Sequence, residues 1–221
     1  MDDKPWYEKI GIWIGIISGI FVILGISIFG GKSLLNNKED TIKEERYYKG
    51  TITKTGWESK FIGLRYANPE GMIMLTEEEL DEVNKLEEGT PSIIFNQKEL
   101  GEARLTAVFE MMSMSDDKSI IAGVCVERLI DETDIFQFIK SFETQMNRNF
   151  FYNYTLISDD KTVRIGNDDY IMVSYMVDFN NVFRYQDSYF RIVGDRVIMI
   201  SLDFNDERAR DNILDAFSAI E

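Results

Sequence analysis

The stretch DDYIMVSYMVDFNNVFRYQDSYFRIVGDRVIMISLDF, residues 168–204, decides the fold. It divides into three strand-like runs, Asp169 to Phe179, Val182 to Val193 and Val197 to Phe204, separated by Asn180-Asn181 and Gly194-Asp195. Those dipeptides readily take the positive φ that two-residue hairpins need, so the runs are expected to form an antiparallel meander. In the first run Ile171, Val173, Tyr175, Val177 and Phe179 share one face, because side chains alternate across a strand. Tyr170, Met172 and Met176 make the other face partly apolar too. A sheet apolar on both faces needs cover on both.

Working outward, Tyr152 to Ser158 and Thr162 to Ile165 read as further strands, with turns at Asp159-Asp160 and Gly166-Asn167. Downstream, a helix from about Asp206 to Ile220 offers Ala209, Ile213, Phe217 and Ile220 as one cover. Upstream, Ile135, Phe138, Ile139, Phe142 and Met146 recur at helical spacing, so a helix over about Asp134 to Asn147 lays its stripe on the sheet. Thr133 or Asp134 can cap it. Before it come two strands, Arg104 to Ser113 and Ser119 to Leu129. The second, SIIAGVCVERL, is too continuously apolar for a strand with a wet face, so Cys125 packs inside it as a small hydrophobe. Nearer the start, an extended segment Ser59 to Ala67 carries Phe61, Leu64 and Tyr66 and leads into the turn Asn68-Pro69-Glu70-Gly71. Thr76 followed by Glu79 is a capping box opening a helix to about Glu88, with Leu80, Val83 and Leu86 on one side. Two layers, with the sheet covered on one face only, is the competing architecture.

The N-terminus carries IGIWIGIISGIFVILGISIFGG, Ile10 to Gly31, without a charge. At about 1.5 Å per residue it can cross a hydrocarbon core of about 30 Å, so it reads as a transmembrane helix. Trp6, Tyr7 and Trp13 suit one interface and Lys32 the other. A cleaved signal peptide is the rival, but the run is longer than a usual apolar region and no small-residue cleavage site follows. Gly11, Gly15 and Gly19 fall close to one helix face, a spacing that lets two backbones approach and would support a homodimer through the helix. Glycine is also simply common in membrane helices. Residues 1–9 form a short tail, 32–49 a polar stalk, and 50–221 one globular domain.

Lys4 and Lys9 precede the helix, whereas Lys32, Lys38, Lys43, Arg46 and Lys49 follow it, a bias that taken literally favours a cytoplasmic domain. The rule weakens for long translocated segments, so charge leaves topology open. With 39 acidic against 24 basic residues the formal charge is -15, which repels a phosphate backbone and excludes nucleic acid as a partner. One cysteine and no histidine rule out an internal disulfide and leave no ordinary transition-metal ligand set. No Walker loop, G-x-G-x-x-G, G-x-S-x-G, H-E-x-x-H or EF-hand pattern occurs, so neither a cofactor nor a catalytic residue is expected. The pairs Asp116-Asp117, Asp159-Asp160 and Asp168-Asp169 read as turns rather than cation sites. Aromatic residues cluster at Phe150, Phe151, Tyr152 and Tyr154 and again at Phe183, Tyr185, Tyr189 and Phe190. Strand-period aromatics are commonly core; if exposed together, Tyr185, Tyr189 and Arg191 would form a partner-binding patch.

The order SKFIGLRYANPEGMIMLTEEEL, FEMMSMSDDKSIIAGVCVERL, a helix, the meander and the closing ILDAFSAIE resembles a Mog1/PsbP-like domain over nearly all of residues 56–221. In particular it is similar to the branch found on membrane- or lipid-anchored bacterial surface proteins. The resemblance implies an α/β/α sandwich around a mainly antiparallel sheet, in an α+β chain whose N-terminal transmembrane helix comes first. It also implies a domain on the extracytoplasmic side, in the company of assembly factors and binding subunits, and it supplies no site residues. Three functions follow: a membrane-anchored interaction or assembly module without catalysis, a tethered hydrolase using Asp and Glu carboxylates, or a small-ligand sensor or carrier. The hydrolase needs a deep pocket of converging acids; the carrier needs a closed apolar one.

Overall fold

A computed structural model describes residues 47–81, 84, 107–129, 134–146, 153–179 and 182–220. The expected membrane segment 10–31, with Gly11, Gly15 and Gly19, lies outside them; among the described residues no helix is long and apolar enough to cross a membrane.

Two antiparallel sheets are formed by the described residues. The larger has the order β4 (Met72–Met74), β5 (Ala107–Ser115), β6 (Ile121–Arg128), β10 (Arg196–Phe204), β9 (Val182–Val193), β8 (Asp168–Phe179), β7 (Asn153–Ile165). The smaller has the order β1 (Thr51–Ile52), β2 (Gly56–Ser59), β3 (Leu64–Ala67), β11 (Phe217–Ala219). Three helices are described: α1, helical over 77–81, α2 (Ile135–Met146) and α3 (Glu207–Leu214). Thr76 and Glu79 close the expected capping box on α1, with the Glu79 N–H donating to Thr76 Oγ1 at 3.2 Å and the Thr76 N–H to Glu79 Oε2 at 2.9 Å.

The alternation along β8 sorts its side chains into two cores. Val173, Tyr175 and Val177 join Phe138, Ile139, Phe142 and Met146 of α2, while Tyr170 and Met172 join Trp57, Leu64, Tyr66, Ile213 and Phe217. Each large apolar side chain buried this way contributes roughly 1.5–3 kcal/mol, which is why both faces had to be covered. Two-layer packing is thereby excluded. The second cover differs from the expected α/β/α arrangement: it is mainly the small sheet, with α3 beside it.

Three expected boundaries move. The closing helix over 206–220 ends at Leu214, and Phe217–Ala219 instead pairs with β3, Phe217 opposite Tyr66. Ile213 and Phe217 are spaced as on a helix, but the β3 edge needs backbone partners and this segment supplies them. Asp159-Asp160 makes no turn between two strands; β7 runs through it with register shifts between Leu156, Ser158 and Lys161, and Asp160 takes φ 54. The extended segment 59–67 is broken after Ser59, where Gly63 at φ 79 turns the chain back so that β3 pairs β2. A further register shift, between Phe109 and Met111, places Phe109 and Met112 in one core and Met111 in the other.

Candidate functional site

One cross-strand row runs over four strands: Thr155 of β7 faces Met176 of β8, which faces Tyr185 of β9, which faces Phe204 of β10. Paired residues in antiparallel strands share a face, and this is the face covered by the small sheet and α3. The cover stops along β9. Tyr189 is fully buried, Tyr185 is 41% exposed and Phe183, two residues further along the same face, is 57% exposed. Tyr185 lies stacked on Phe204, with ring centroids 5.8 Å apart and 23° between planes. A large aromatic surface thus stands in water, held on a buried ring.

Beside it Asp187 is buried at the edge of α3. Its carboxylate accepts hydrogen bonds from Ser174 Oγ and from the Tyr189 hydroxyl at 3.2 Å, and it lies 3.9 Å from the Arg210 guanidinium. Burial raises the Asp187 carboxyl above the usual range, while Ser174, Tyr189 and the Arg210 charge pull it back. Burial and the Asp187 charge push the Tyr189 phenol above its ordinary value, so it stays a hydrogen-bond donor. Arg210 also pairs with Asp211 at 3.0 Å and lies 5.9 Å from the Phe204 ring. These polar groups satisfy one another and pin α3 to the sheet. Ser174 donates to a carboxylate already held by a phenol, an arrangement suited to rigidity rather than to nucleophilic attack.

The expected patch of Tyr185, Tyr189 and Arg191 needs correction. All three share a face of β9, but only Tyr185 is exposed. Tyr189 lies beneath the cover, and the Arg191 guanidinium pairs with Asp168 at 2.6 Å and donates to the Ile62 carbonyl at 3.3 Å. Phe183 takes the place of Tyr189 in the exposed surface; its membership of the same strand period was the available signal.

Of the three acidic pairs, Asp116-Asp117 behaves as turn chemistry. Asp117 accepts from Ser115 Oγ at 2.6 Å, the Ser119 N–H at 3.0 Å and Ser119 Oγ at 2.8 Å, bonds that lower its pKa to about 2. Asp168 is the partner of Arg191. Among the described residues no group of three or more His, Cys, Asp or Glu could hold a metal ion. Cys125 is buried in the helix-side core. An open cleft of about 250 Å³ lies between β4 and α3, lined by Glu70, Met72, Asp206, Arg208, Asn212 and Ile213. Asp206 is spent capping α3, accepting from the Ala209 N–H at 2.9 Å, so the cleft is neither a nest of converging acids nor a closed apolar pocket.

Comparison with solved structures finds likeness to cyanobacterial PsbP (CyanoP) of Synechocystis sp. PCC 6803, at 9% identity and a TM-score of 0.47, over 82% of this chain and 99% of that one. LpqN of Mycobacterium tuberculosis, described as involved in cell envelope biogenesis, is similar at 10% identity and a TM-score of 0.40, over 72% of this chain and 83% of its own. A protein of Bacteroides thetaiotaomicron VPI-5482 matches at 10% identity and a TM-score of 0.39, over 78% of this chain and 48% of that one. No protein-family model matches the sequence, and no curated protein matches it. At such identities and scores the likeness carries no argument about function, partner or location.

Proposed function

We propose that this chain is a single-pass membrane protein whose globular domain lies outside the cytoplasm and acts as a protein-interaction or assembly module without catalysis. The observation that carries this reading is the exposed pair Phe183 and Tyr185, standing in water beside a sealed core and backed by Phe204. Large rigid rings supply contact area at a low cost in side-chain entropy, the property that enriches them at binding faces. The uncharged run from Ile10 to Gly31 supports the anchor. A formal charge of -15 favours a partner with a basic surface, because complementary potentials speed encounter.

A photo-reactive benzophenone amino acid at position 183 of the full chain, irradiated in the producing cells, tests the reading. A discrete adduct is expected that disappears in Tyr185→Ala and is absent when the probe stands at the exposed Arg65 on the small sheet. No adduct at 183, or equal adducts at both positions, would sink it.

A further inference from the structure

Tyr47 to Gly50, where the expected stalk meets the domain, lie across the bulge of β5 as a strap. The register shift between Phe109 and Met111 leaves Glu110 unpaired in the ladder, and its side chain meets this strap. The Tyr47 hydroxyl donates to Glu110 Oε1 at 2.9 Å and the Gly50 N–H donates to Oε2 at 3.0 Å. Other contacts fix the strap from the sides. Lys49 Nζ reaches Asp81 Oδ1 at 3.2 Å, and the Tyr47 ring meets Phe61 edge-on at 5.3 Å. The Arg196 guanidinium lies 4.6 Å over the Tyr47 ring. Gly50 is required here, since a Cβ would stand 2.5 Å from Trp57 Nε1 and 2.6 Å from Glu110 Oε2.

The closed strap leaves Glu110 with no exposed surface. Lifting it would return the carboxylate to water. A buried carboxylate is costly in its charged form and much less so when protonated, so opening and ionisation are coupled. We infer that the 47–50 strap is a proton-linked latch between stalk and domain, closed over protonated Glu110 and loosened as Glu110 ionises. A protonated carboxyl keeps acceptor capacity for Tyr47 and Gly50 and gains a proton to donate.

The groups facing Glu110 are Tyr47 and Lys49 of the strap, Ser59 and Trp57 of β2, and Arg196 of β10 behind the Tyr47 ring. Burial raises the Glu110 carboxyl above its ordinary value, against the opposing bonds from Tyr47, Gly50 and Ser59 and the Lys49 charge. The phenol of Tyr47 is itself pushed up by burial and by Glu110, so it remains a donor throughout. The closed form therefore binds the proton more tightly than the open form. Between the ordinary carboxylate value and the raised one, the open-to-closed ratio rises with pH by up to about tenfold per unit; above that window it is flat. Each released residue would lengthen the stalk by roughly 3.5 Å.

Hydrogen–deuterium exchange on the full chain in detergent micelles, corrected for intrinsic rates, tests this from pH 4 to 8. Protection of the Gly50 amide, the strap N–H that Glu110 accepts, is expected to fall with pH by up to about tenfold per unit in the lower part of the range, while β9 and β10 stay far better protected at every pH. Glu110→Gln should keep the strap protected and erase the pH dependence. Gly50→Ala should expose the strap at every pH with β9 and β10 intact. Flat protection in the wild type, a pH dependence that survives Glu110→Gln, or full strap protection in Gly50→Ala would each overturn the latch.

Discussion

Tyr185 and Phe204 stack across neighbouring strands, yet Tyr185 is 41% exposed and Phe204 only 3%. The two rings therefore do different work. Tyr185→Ala should cost only about 1 kcal/mol, the worth of an aromatic pair, while abolishing the adduct at position 183. Phe204→Ala opens the core beneath α3 and should cost about 3–5 kcal/mol. Denaturant unfolding of the full chain separates the two; equal losses would mean that Tyr185 is a core residue.

Gly56 and Gly63 make a second contrast. A Cβ on Gly56 would stand 1.8 Å from the Tyr66 carbonyl oxygen, so Gly56→Ala must push β2 off β3 and should cost about 3 kcal/mol. Gly63 has φ 79 and nothing within 4 Å of such a Cβ, so Gly63→Ala should cost only about 1 kcal/mol of backbone strain. Thermal unfolding of both variants would expose an error in the packing of the small sheet if their order were reversed.

Asp203 gives stability a pH dependence of definite sign. On β10 it stands opposite Ile121 and Gln186, and burial pushes its carboxyl up to about 7 against the lowering charge of Arg184. The folded form thus holds the proton more tightly than the unfolded chain. This contribution is present in full below the ordinary carboxylate range, declines as pH rises toward about 7 and levels off beyond. Glu110 and Asp187 shift in the same direction, so the difference between wild type and Asp203→Asn isolates the residue. That difference in Tm should change between pH 4 and 7; a constant offset would refute the assignment.

Cys125, 1% exposed, should not react with a thiol reagent in the native protein, and Cys125→Ala should cost about 1 kcal/mol and no function. In that background Asn37→Cys reports topology. Labelling of intact cells by a membrane-impermeant reagent is expected, and labelling only after lysis would place the domain in the cytoplasm.

Where a choice depended on a residue's near neighbours in the chain, the sequence was sufficient. The two-sided burial of β8 follows from period-two alternation, the α2 stripe from helical spacing, and the start of α1 from the Thr76–Glu79 box. Each pattern is repeated within a few residues, and the burial it requires is the same whatever partner supplies it.

Only tertiary structure decided which partner came to each face. Residues 217–219 became a strand because β3, some 150 positions earlier, offered an open edge, as Arg65 and Ser218 also show by their 3.1 Å bond. Asp159-Asp160 stayed inside β7 because β8 pairs on both sides of it. Tyr185 and Tyr189 share a strand, a residue type and a face, yet the cover ends between them, and that edge is set by α3 and the small sheet. Glu110 looks like any acid in a strand until the bulge and the strap bury it. Burial is a property of what packs on top, and for these residues that comes from chain far away in sequence.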